Sequence, residues 1–431
     1  MLRLGANETP ESINIKVFSY LSNFLTQMTG HPCEIVPSPT GLIEESFHSP
    51  DGYFYLKLPQ IKYSKSAPSV RVSEEFLLDN TAKKILGKFK SVSRAFVKNT
   101  NQPWHIKAKI ITEYDTFLDN IIVSLGYSGN QKYEILDIIQ SIRESLLFKY
   151  EDSVVGNAIL VTRNLHTIEK LMSDEGCTLI RLKHPFDVRE EFRKNKMWHR
   201  LSHPDSILLV VSHDNRATHV ALLPNQNDSY DSKEWEFVPG NIQKLRKYLV
   251  GRDLLLNATG KSEFFLASQK FVFRWNYMKW HRVSGSGLTE LIVNEFTPEV
   301  SSKLIEVIKI LSMNRQGGLL VLSDKPEQTL KGAKGGVNGF FANRRIFDIR
   351  NVKPEAIARF AAIDGALVLK KTGKVVNAGA ILSIPIRTEK KLEGARTAAA
   401  IAASEHGMAI KVSQDGPVSI FKEGNLLRML N

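Results

Sequence analysis

An Asp-Gly-Ala triplet at the start of an apolar run is the first group of residues in this chain that could carry chemistry. Asp364, Gly365 and Ala366 lie in Ala362–Leu369, which its run of Leu and Val predicts to be a strand. A carboxylate in this place can ligate a divalent cation beside phosphate groups. Gly365 has no Cβ, so a ligand can approach the backbone closely. Taken alone, an Asp-Gly pair more commonly marks an ordinary turn.

A second group of such residues stands at the head of an alanine-rich segment. Glu393–Glu405 holds six alanines, which predicts a helix that begins near Gly394, Ala395, Arg396 and Thr397. Free backbone N–H groups and the helix dipole favour an anion at such a start. The guanidinium fork of Arg396 suits phosphate oxygens. A structural helix whose arginine faces solvent is the alternative that these residues leave open.

The surrounding segments predict the elements that position these two groups. Pro298–Leu311 has helical spacing, and we expect the glycines of Arg315–Gly318 to take the left-handed position that ends it. Lys371–Lys374 predicts a turn that closes a hairpin after the Asp-Gly-Ala strand. The other predicted strands are Leu319–Ser323, Lys374–Leu382, Met408–Ser413 and Val418–Phe421.

Several of these segments, taken in order, resemble the motifs of the diadenylate cyclase domain family. The resemblance covers Ser301–Asn431, and it implies an α/β fold with a mixed β-sheet flanked by helices. The family shows a Gly-Gly-Leu-Leu-Val-Leu strand, an Asp-Gly-Ala triplet, an Ala-Gly strand, a Gly-Thr-Arg-His-Arg-Ala-Ala helix start and a strand ending in Ser-Glu-Glu. The matching segments are Gly317–Leu322, Asp364–Ala366, Ala378–Gly379, Gly394–Ala400 and Ser413–Asp415.

The resemblance also implies a role for each matching residue. Asp364 would hold Mg²⁺ or Mn²⁺ and help to activate a ribose 3′-hydroxyl, and Asp415 would offer the metal a second carboxylate. Arg396 would complete the catalytic set by contacting phosphate. The remaining residues implied in nucleotide binding are Gly365, Ala366, Gly394, Ala395, Thr397, Ser413 and Gln414.

The implied reaction is metal-assisted adenylyl transfer, which condenses two ATP molecules into cyclic di-AMP and pyrophosphate. In the family each domain binds one ATP, so two domains must meet face to face. The resemblance therefore implies self-association into a dimer or a larger homo-oligomer. By the same analogy, residues 1–297 are expected to act as a sensor or regulator.

The chain departs from the family pattern at two places. Arg-His-Arg is replaced by Arg396-Thr397-Ala398, and Ser-Glu-Glu is replaced by Ser413-Gln414-Asp415. The departures leave two interpretations: a divergent active cyclase, which we favour, or a degenerate domain that senses ATP or a cyclic dinucleotide. Basic residues of the glycine-rich segment 332–345 are candidates to supply the missing charge, although a mobile surface loop is the simpler interpretation. These residues are Lys334, Arg344 and Arg345.

Composition and charge are those of an ordinary globular protein of two or three domains, with either a polyanionic partner or a merely basic surface. The chain has 431 residues, 42% of them hydrophobic and 24% charged, which argues against large-scale disorder. Its net charge is +13, and from Ser301 onward 21 Lys and Arg face 11 Asp and Glu. This excess of positive charge favours a phosphate ligand in the last domain.

The same numbers argue against several other classes of protein. Cys33 and Cys177 are far apart, with no second Cys or His at ligand spacing near either, so neither a disulfide framework nor a structural zinc site is expected. No apolar run reaches the roughly 20 residues of a membrane-spanning helix. The beginning of the sequence lacks the features of a signal peptide. We therefore expect a cytoplasmic protein with no membrane partner.

The N-terminal two thirds predict an α+β region at residues 1–150 and an α/β domain at 151–297, ahead of the cyclase-like domain at 298–431. A helix is expected to start at Ser73 and to continue through Phe96. Its basic run Lys83–Lys90 could face nucleic acid, but a solvated helix face is the better interpretation, so nucleic acid is an unlikely partner. His199 and His203 have metal-ligand spacing but no third ligand, which favours ordinary surface histidines.

Overall fold

The structure is a computed structural model that describes most of the chain in two compact units. The described residues are 10–37, 46–48, 53–58, 68–73, 79–99, 116–127, 130–146, 149–150, 153–154, 156–194, 202–203, 206–212, 214–224, 238–258, 263–276, 279–283, 288–331, 333–334, 347–383 and 394–430. The first unit holds the described residues up to Val283, and the second holds those from Leu288 onward. The predicted domain boundaries at 150/151 and 297/298 stay predictions.

The first unit mixes helices with two larger sheets. Its helices are α1 (Pro10–Thr29), α2 (Asn80–Asn99), α3 (Thr116–Ser124), α4 (Asn130–Leu146), α5 (Leu165–Glu175), α6 (Val188–Lys194) and α7 (Gly240–Arg246). Its strands are β1 (Cys33–Pro37), β2 (Ser46–His48), β3 (Tyr53–Lys57), β4 (Pro68–Ser73), β5 (Lys149–Tyr150), β6 (Ser153–Val154), β7 (Asn157–Val161), β8 (Thr178–Asp187), β9 (Ile207–Val211), β10 (Arg216–Leu222), β11 (Leu254–Ala258), β12 (Glu263–Ala267), β13 (Val272–Asn276) and β14 (Lys279–Val283).

Strand order in this unit is β1-β4-β3-β2 in the smaller sheet and β14-β13-β12-β11-β7-β9-β10-β8 in the larger one. In the larger sheet β7 and β9 are parallel, and the other neighbouring strands are antiparallel. Strands β9 and β10, which follow each other in the chain, pair antiparallel. One hydrophobic core extends from Leu21 in α1 to Trp280 in β14, so helices and sheets of this unit share buried surface.

The prediction that a helix starts at Ser73 is wrong. Ser73 ends β4, because the alternating buried residues Val70 and Val72 keep the chain extended between β1 and β3. The helix is α2, and the Asp79 carboxylate accepts a hydrogen bond of 2.9 Å from the backbone N–H of Ala82 in its first turn.

The lysines of the basic run lie mostly on the exposed face of α2, which is amphipathic. Lys83, Lys84 and Lys88 are exposed, whereas Ile85 and Phe89 are buried. Of the two histidines with metal-ligand spacing, His199 lies outside the described residues. The part of the chain that the structure describes holds no group of three or more His, Cys, Asp or Glu that could bind a metal ion.

The second unit is a mixed sheet flanked by helices, which confirms the predicted fold class. Its helices are α8 (Leu288–Val293), α9 (Pro298–Met313), α10 (Pro326–Thr329), α11 (Pro354–Ala362) and α12 (Ala395–Ser404), with a 3-10 turn at Ile349–Asn351. Its strands are β15 (Gly318–Ser323), β16 (Ala366–Lys370), β17 (Val375–Ala380), β18 (Gly407–Val412), β19 (Val418–Lys422) and β20 (Asn425–Leu430). They lie in the order β17-β16-β15-β18-β19-β20, and β15 and β16 are parallel.

The end of α9 corrects the prediction that a glycine takes the left-handed position there. Arg315 takes it, with a φ of 55°. The backbone N–H of Gln316 reaches the carbonyl of Leu311 at 2.9 Å, and that of Arg315 reaches Ser312 at 3.2 Å. These two bonds are those of a Schellman motif. The glycines that follow are left to serve close packing instead.

One face of the second sheet is covered by α12. Small side chains such as Ala400 and Ala403 let the helix approach Leu319, Val321 and Ala409 of the sheet closely. The alanines therefore have two effects, because they favour the helix and also bring its axis near the strands. The first turn of α12 is thereby fixed over the sheet edge where β18 ends.

Candidate functional site

The residues singled out in the sequence lie along one edge of the second sheet. The parallel strands β15 and β16 both begin at this edge, where Gly317 precedes one and Asp364 precedes the other. β18 runs antiparallel to β15, so it ends here, at Ser413. α12 leads into β18 from the opposite direction, and its first turn with Arg396 therefore lies at the same edge.

Asp364 and Arg396 form an open ion pair at this edge. One guanidinium nitrogen of Arg396, Nη2, lies 3.7 Å from Oδ1 of Asp364. This separation exceeds that of a direct hydrogen bond. The Asp364 side chain is 93% exposed, and that of Arg396 is 31% exposed. Both charged groups can therefore reach a ligand from solvent without breaking a tight contact.

Gly317 and Gln414 form the seat on which the Arg396 guanidinium rests. A Cβ added to Gly317 would overlap Nη1 of Arg396 and would lie 2.9 Å from Cγ of Gln414. Only glycine leaves room for the guanidinium at this point. The seat joins the end of α9, the first turn of α12 and the turn after β18. The sequence did not predict this contact.

Gly365 brings the start of β16 close to the end of β17. Its φ is 111°, and a Cβ there would lie 2.6 Å from the carbonyl oxygen of Gly379 and 2.8 Å from that of Ala380. A larger residue could fit neither this backbone angle nor this gap. Ala366 follows as a fully buried residue of the strand and pairs with Ala380. This close pairing fixes the backbone at the start of the strand, which Asp364 precedes.

A second cation besides Arg396 lies at the first turn of α12. Gly394 caps the helix without a side-chain hydrogen bond, and Ala395 is the first helical residue. Lys411 of β18 donates a hydrogen bond of 2.9 Å from Nζ to Oγ1 of Thr397. Two positive side chains thus stand where the helix dipole is itself positive.

The turn after β18 holds the remaining predicted residues. The backbone N–H of Ser413 reaches the carbonyl of Pro417 at 2.8 Å, and that of Gly416 reaches Ser413 at 2.9 Å. Ser312 of α9 ties the turn down through a hydrogen bond of 2.6 Å to the carbonyl of Gly416. Gln414 is exposed and is part of the seat of Arg396, and Asp415 follows it.

Of the three basic residues considered as replacements for missing charge, only Lys334 lies within the described residues. Its backbone pairs with that of Ile381 through hydrogen bonds of 2.9 and 2.8 Å. Ile381 directly follows β17, so Lys334 is held at the same sheet edge as Asp364. Arg344 and Arg345 lie outside the described residues.

The donor set at this edge fits a metal ion held partly by substrate. Within the described residues no cluster of three or more potential metal ligands occurs, so a cage made by the protein alone is not present there. Mg²⁺ characteristically uses one or two carboxylates together with phosphate oxygens and waters. The exposed carboxylate of Asp364 provides one such ligand beside a cation that can bind phosphate.

Two features of this edge were missed from the sequence. The sequence predicts Gly317 as part of a helix end and of a family-like strand, and no local signal shows that it makes room for Arg396. Lys411 was interpreted only as part of a strand, although its side chain reaches the head of α12. The alternation of β18 could have placed Lys411 on the same face as Ala409, which would have directed attention to α12.

Comparison with known proteins identifies the family of this region. Residues 305–426 match the DAC family, described as DisA bacterial checkpoint controller nucleotide-binding. The C-terminal third of the chain is therefore a DAC domain, and the resemblance to the diadenylate cyclase family is confirmed. No curated protein matches the chain.

Two solved structures resemble part of the chain. One is a hypothetical membrane spanning protein from Bacillus cereus, with 22% identity over 33% of this chain and 70% of that chain, and a TM-score of 0.26. The other is a double mutant of DacA from Staphylococcus aureus, with 19% identity over 31% of this chain and 87% of that chain, and a TM-score of 0.24. With TM-scores this low, nothing further follows from either likeness. None of the helices within the described residues is both long enough and apolar enough to cross a membrane.

Proposed function

We propose that residues 298–431 form a catalytic domain that condenses two ATP molecules into cyclic di-AMP and pyrophosphate. The observation that carries the proposal is the open pair of Asp364 and Arg396, at the sheet edge where α12 begins, within the region that matches the DAC family. A carboxylate and a guanidinium 3.7 Å apart can contact the same triphosphate.

The chemistry is two successive adenylyl transfers. The 3′-oxygen of one ATP attacks the α-phosphorus of the other, and the bond from that phosphorus to the bridging oxygen of the pyrophosphate breaks. The proton of the 3′-hydroxyl passes toward the Asp364 carboxylate. A second, equivalent transfer closes the ring and releases the second pyrophosphate. Placing the two nucleotides in line and neutralising their phosphate charge would supply most of the rate enhancement.

In this proposal each group of residues at the sheet edge has a separate role. Arg396 and the first turn of α12, from Gly394 through Thr397, bind phosphate oxygens. The turn from Ser413 through Asp415 lies across from them, and Asp415 supplies a second carboxylate. Gly365 and Ala366 let the nucleotide lie against the backbone. A bound Mg²⁺ or Mn²⁺, held by Asp364 and the phosphates, would add positive charge where pyrophosphate leaves.

The proposed reaction requires two copies of the domain. One site binds one ATP, so the attacking and the attacked nucleotide come from two domains that face each other. Specific activity should therefore fall as the protein is diluted below the concentration at which it associates. Constant specific activity down to the monomeric state would contradict this part of the proposal. Residues 1–297 are proposed to regulate the association or the site.

A second candidate function is nucleotide sensing without turnover. The observation that favours it is the replacement of Arg-His-Arg by Arg396-Thr397-Ala398 in the first turn of α12. Tight binding of ATP or cyclic di-AMP with no release of pyrophosphate would support this alternative over the cyclase.

The test is to incubate the purified full chain with ATP and either Mg²⁺ or Mn²⁺ and to identify the products by mass spectrometry. We expect cyclic di-AMP from the unaltered protein. We expect a loss of about 10²–10³-fold in rate from Asp364→Asn, which keeps the size of the side chain and removes its charge. Asp324→Asn is the matched control, because Asp324 is an exposed residue just after the far end of β15. No cyclic product under either metal would contradict the cyclase.

A further inference from the structure

Lys411 stands at the head of α12, although it belongs to a strand. Its ammonium donates a hydrogen bond of 2.9 Å to the hydroxyl of Thr397, which lies in the first turn of the helix. Both side chains are partly buried, so the contact is held by the surrounding fold. A lysine at a solvated position would have no such fixed partner.

The register of the sheet dictates this placement. Lys411 pairs directly with Leu319 of β15 and lies two residues from Ala409 in β18. Leu319 and Ala409 both belong to the apolar cluster that α12 covers. Side chains two residues apart in a strand share one face, and so do directly paired residues. Lys411 therefore points to the α12 side of the sheet, at its edge.

Positive charge is concentrated at this point, at the start of a helix. The start of a helix carries a partial positive charge, so cations usually lie at the other end. Here Arg396 lies in the first turn and Lys411 is bonded to Thr397 one residue further on. A polyphosphate placed between the two side chains would be attracted by both of them and by the helix dipole.

We infer that Lys411 is a second phosphate-binding cation of the site, and that Thr397 is the positioning residue that orients its ammonium. The inference rests on the proposed function, because it takes ATP as the ligand. An ammonium can donate to the Thr397 hydroxyl and to a phosphate oxygen at the same time, since it carries three N–H groups. Lys411 would act as a point charge beside the planar fork of Arg396.

The test compares ATP binding by isothermal titration calorimetry in four forms of the full chain. Lys411→Met removes the charge and keeps the length of the side chain, and Lys411→Arg keeps the charge. Lys370→Met is the matched control, because Lys370 is exposed at the opposite end of β16. We expect Lys411→Met to weaken ATP binding on the order of tenfold and the control to leave it unchanged. Lys411→Arg should recover most of the affinity.

Salt dependence separates a charge contact from a merely structural role. The ATP affinity of the unaltered protein should fall more steeply with NaCl concentration than that of Lys411→Met. Salt screens the attraction between the Lys411 ammonium and phosphate, and the variant lacks this attraction. Thr397→Val should weaken ATP binding by a smaller factor, about threefold, while keeping the steeper salt dependence. Equal affinity and equal salt dependence of Lys411→Met and the unaltered protein would overturn the inference.

The outcomes also distinguish this inference from the proposed function. If the unaltered protein binds ATP without making cyclic di-AMP, the cyclase fails and the role of Lys411 in binding is still decided by the comparison. If the unaltered protein makes cyclic di-AMP and Lys411→Met binds ATP equally well, only the role of Lys411 fails. If the unaltered protein does not bind ATP, both are overturned.

Discussion

Two pairs of aspartate and arginine, one in each unit, show opposite uses of the same two side chains. In the first unit Arg143 binds Asp119 through two hydrogen bonds of 2.5 and 2.6 Å, and Trp280 donates a third of 2.7 Å to the same carboxylate. Arg143 also lies 4.8 Å above the ring of Trp275. In the second unit Asp364 and Arg396 are 3.7 Å apart and Asp364 is almost fully exposed.

The difference lies in how far each carboxylate is already satisfied. Asp119 is buried and accepts hydrogen bonds from two protein partners, so it has little capacity for a ligand. Asp364 faces solvent and lies farther from its arginine. A metal ion or a phosphate group can therefore bind it without breaking a short hydrogen bond. A saturated buried pair contributes to the fold, whereas an open pair at a sheet edge is suited to binding. The following substitutions test that contrast.

The largest effect is expected from breaking the buried pair. Asp119→Ala leaves the Arg143 guanidinium buried without its carboxylate, which should cost about 3–5 kcal/mol of unfolding free energy in the first unit. Urea unfolding measures this, followed by tryptophan fluorescence for the first unit, where Trp275 and Trp280 surround the pair, and by circular dichroism for the second unit. Asp364→Ala is the contrasting variant, and we expect it to change the unfolding free energy by less than about 0.5 kcal/mol. Similar losses from the two variants would remove the contrast.

A smaller effect, on binding rather than stability, is expected at the seat of Arg396. Gly317→Ala places a methyl group where the guanidinium now lies, so the Arg396 side chain must shift. We expect ATP affinity, measured by calorimetry, to fall on the order of tenfold. Gly87→Ala is the control, because a Cβ at Gly87 meets no atom within 4 Å. Unchanged affinity in Gly317→Ala would mean that the position of Arg396 does not matter for ATP.

The smallest effect is expected from lowering the pH. It concerns a second carboxylate of the first unit that already has protein partners. Oδ2 of Asp79 lies 2.8 Å from Nη1 of Arg282 and 3.5 Å from Nε2 of His31. Burial acts to raise the pKa of Asp79, but hydrogen bonds from His31, Arg282 and the backbone of Ala82, with the charge of Arg282, more than offset it, so its pKa lies below the usual value.

The sign of the effect follows from that lowered pKa. The stabilisation from Asp79 is complete above the pKa of an unfolded aspartate, near 4, and is lost as the pH falls through the lower folded pKa. Asp79→Asn should therefore be less stable than the unaltered protein at pH 7. The gap between their unfolding free energies should narrow below about pH 4. Urea unfolding at pH 7, 5 and 3 measures the gap, and a constant gap would contradict this account.

The fold of the second unit was largely predictable from the sequence because its signals are local. The turn at Lys371–Lys374, the alanines of α12 and the apolar runs of β15 and β16 each mark an element within a few residues. Predictions failed where a distant contact outweighs a local signal. Ser73 resembles a helix cap, yet it pairs with Tyr53 of β3 at the end of a strand.

The site was predictable only in part, for the same physical reason. The residues with distinctive chemistry, Asp364 and Arg396, could be named from their types and neighbours. Their separation could not, because it depends on the register of β15, β16 and β18 and on the place where α12 packs. The contact between Lys411 and Thr397 likewise depends on that register, and no local pattern marks it.

A crystal structure of the full chain with Mg²⁺ and a non-hydrolysable ATP analogue tests the central claim most directly. We expect one triphosphate that contacts the Arg396 guanidinium and, through the metal ion, the Asp364 carboxylate. An analogue bound elsewhere on the chain, or bound at this sheet edge with Asp364 and Arg396 turned away from it, would contradict the account.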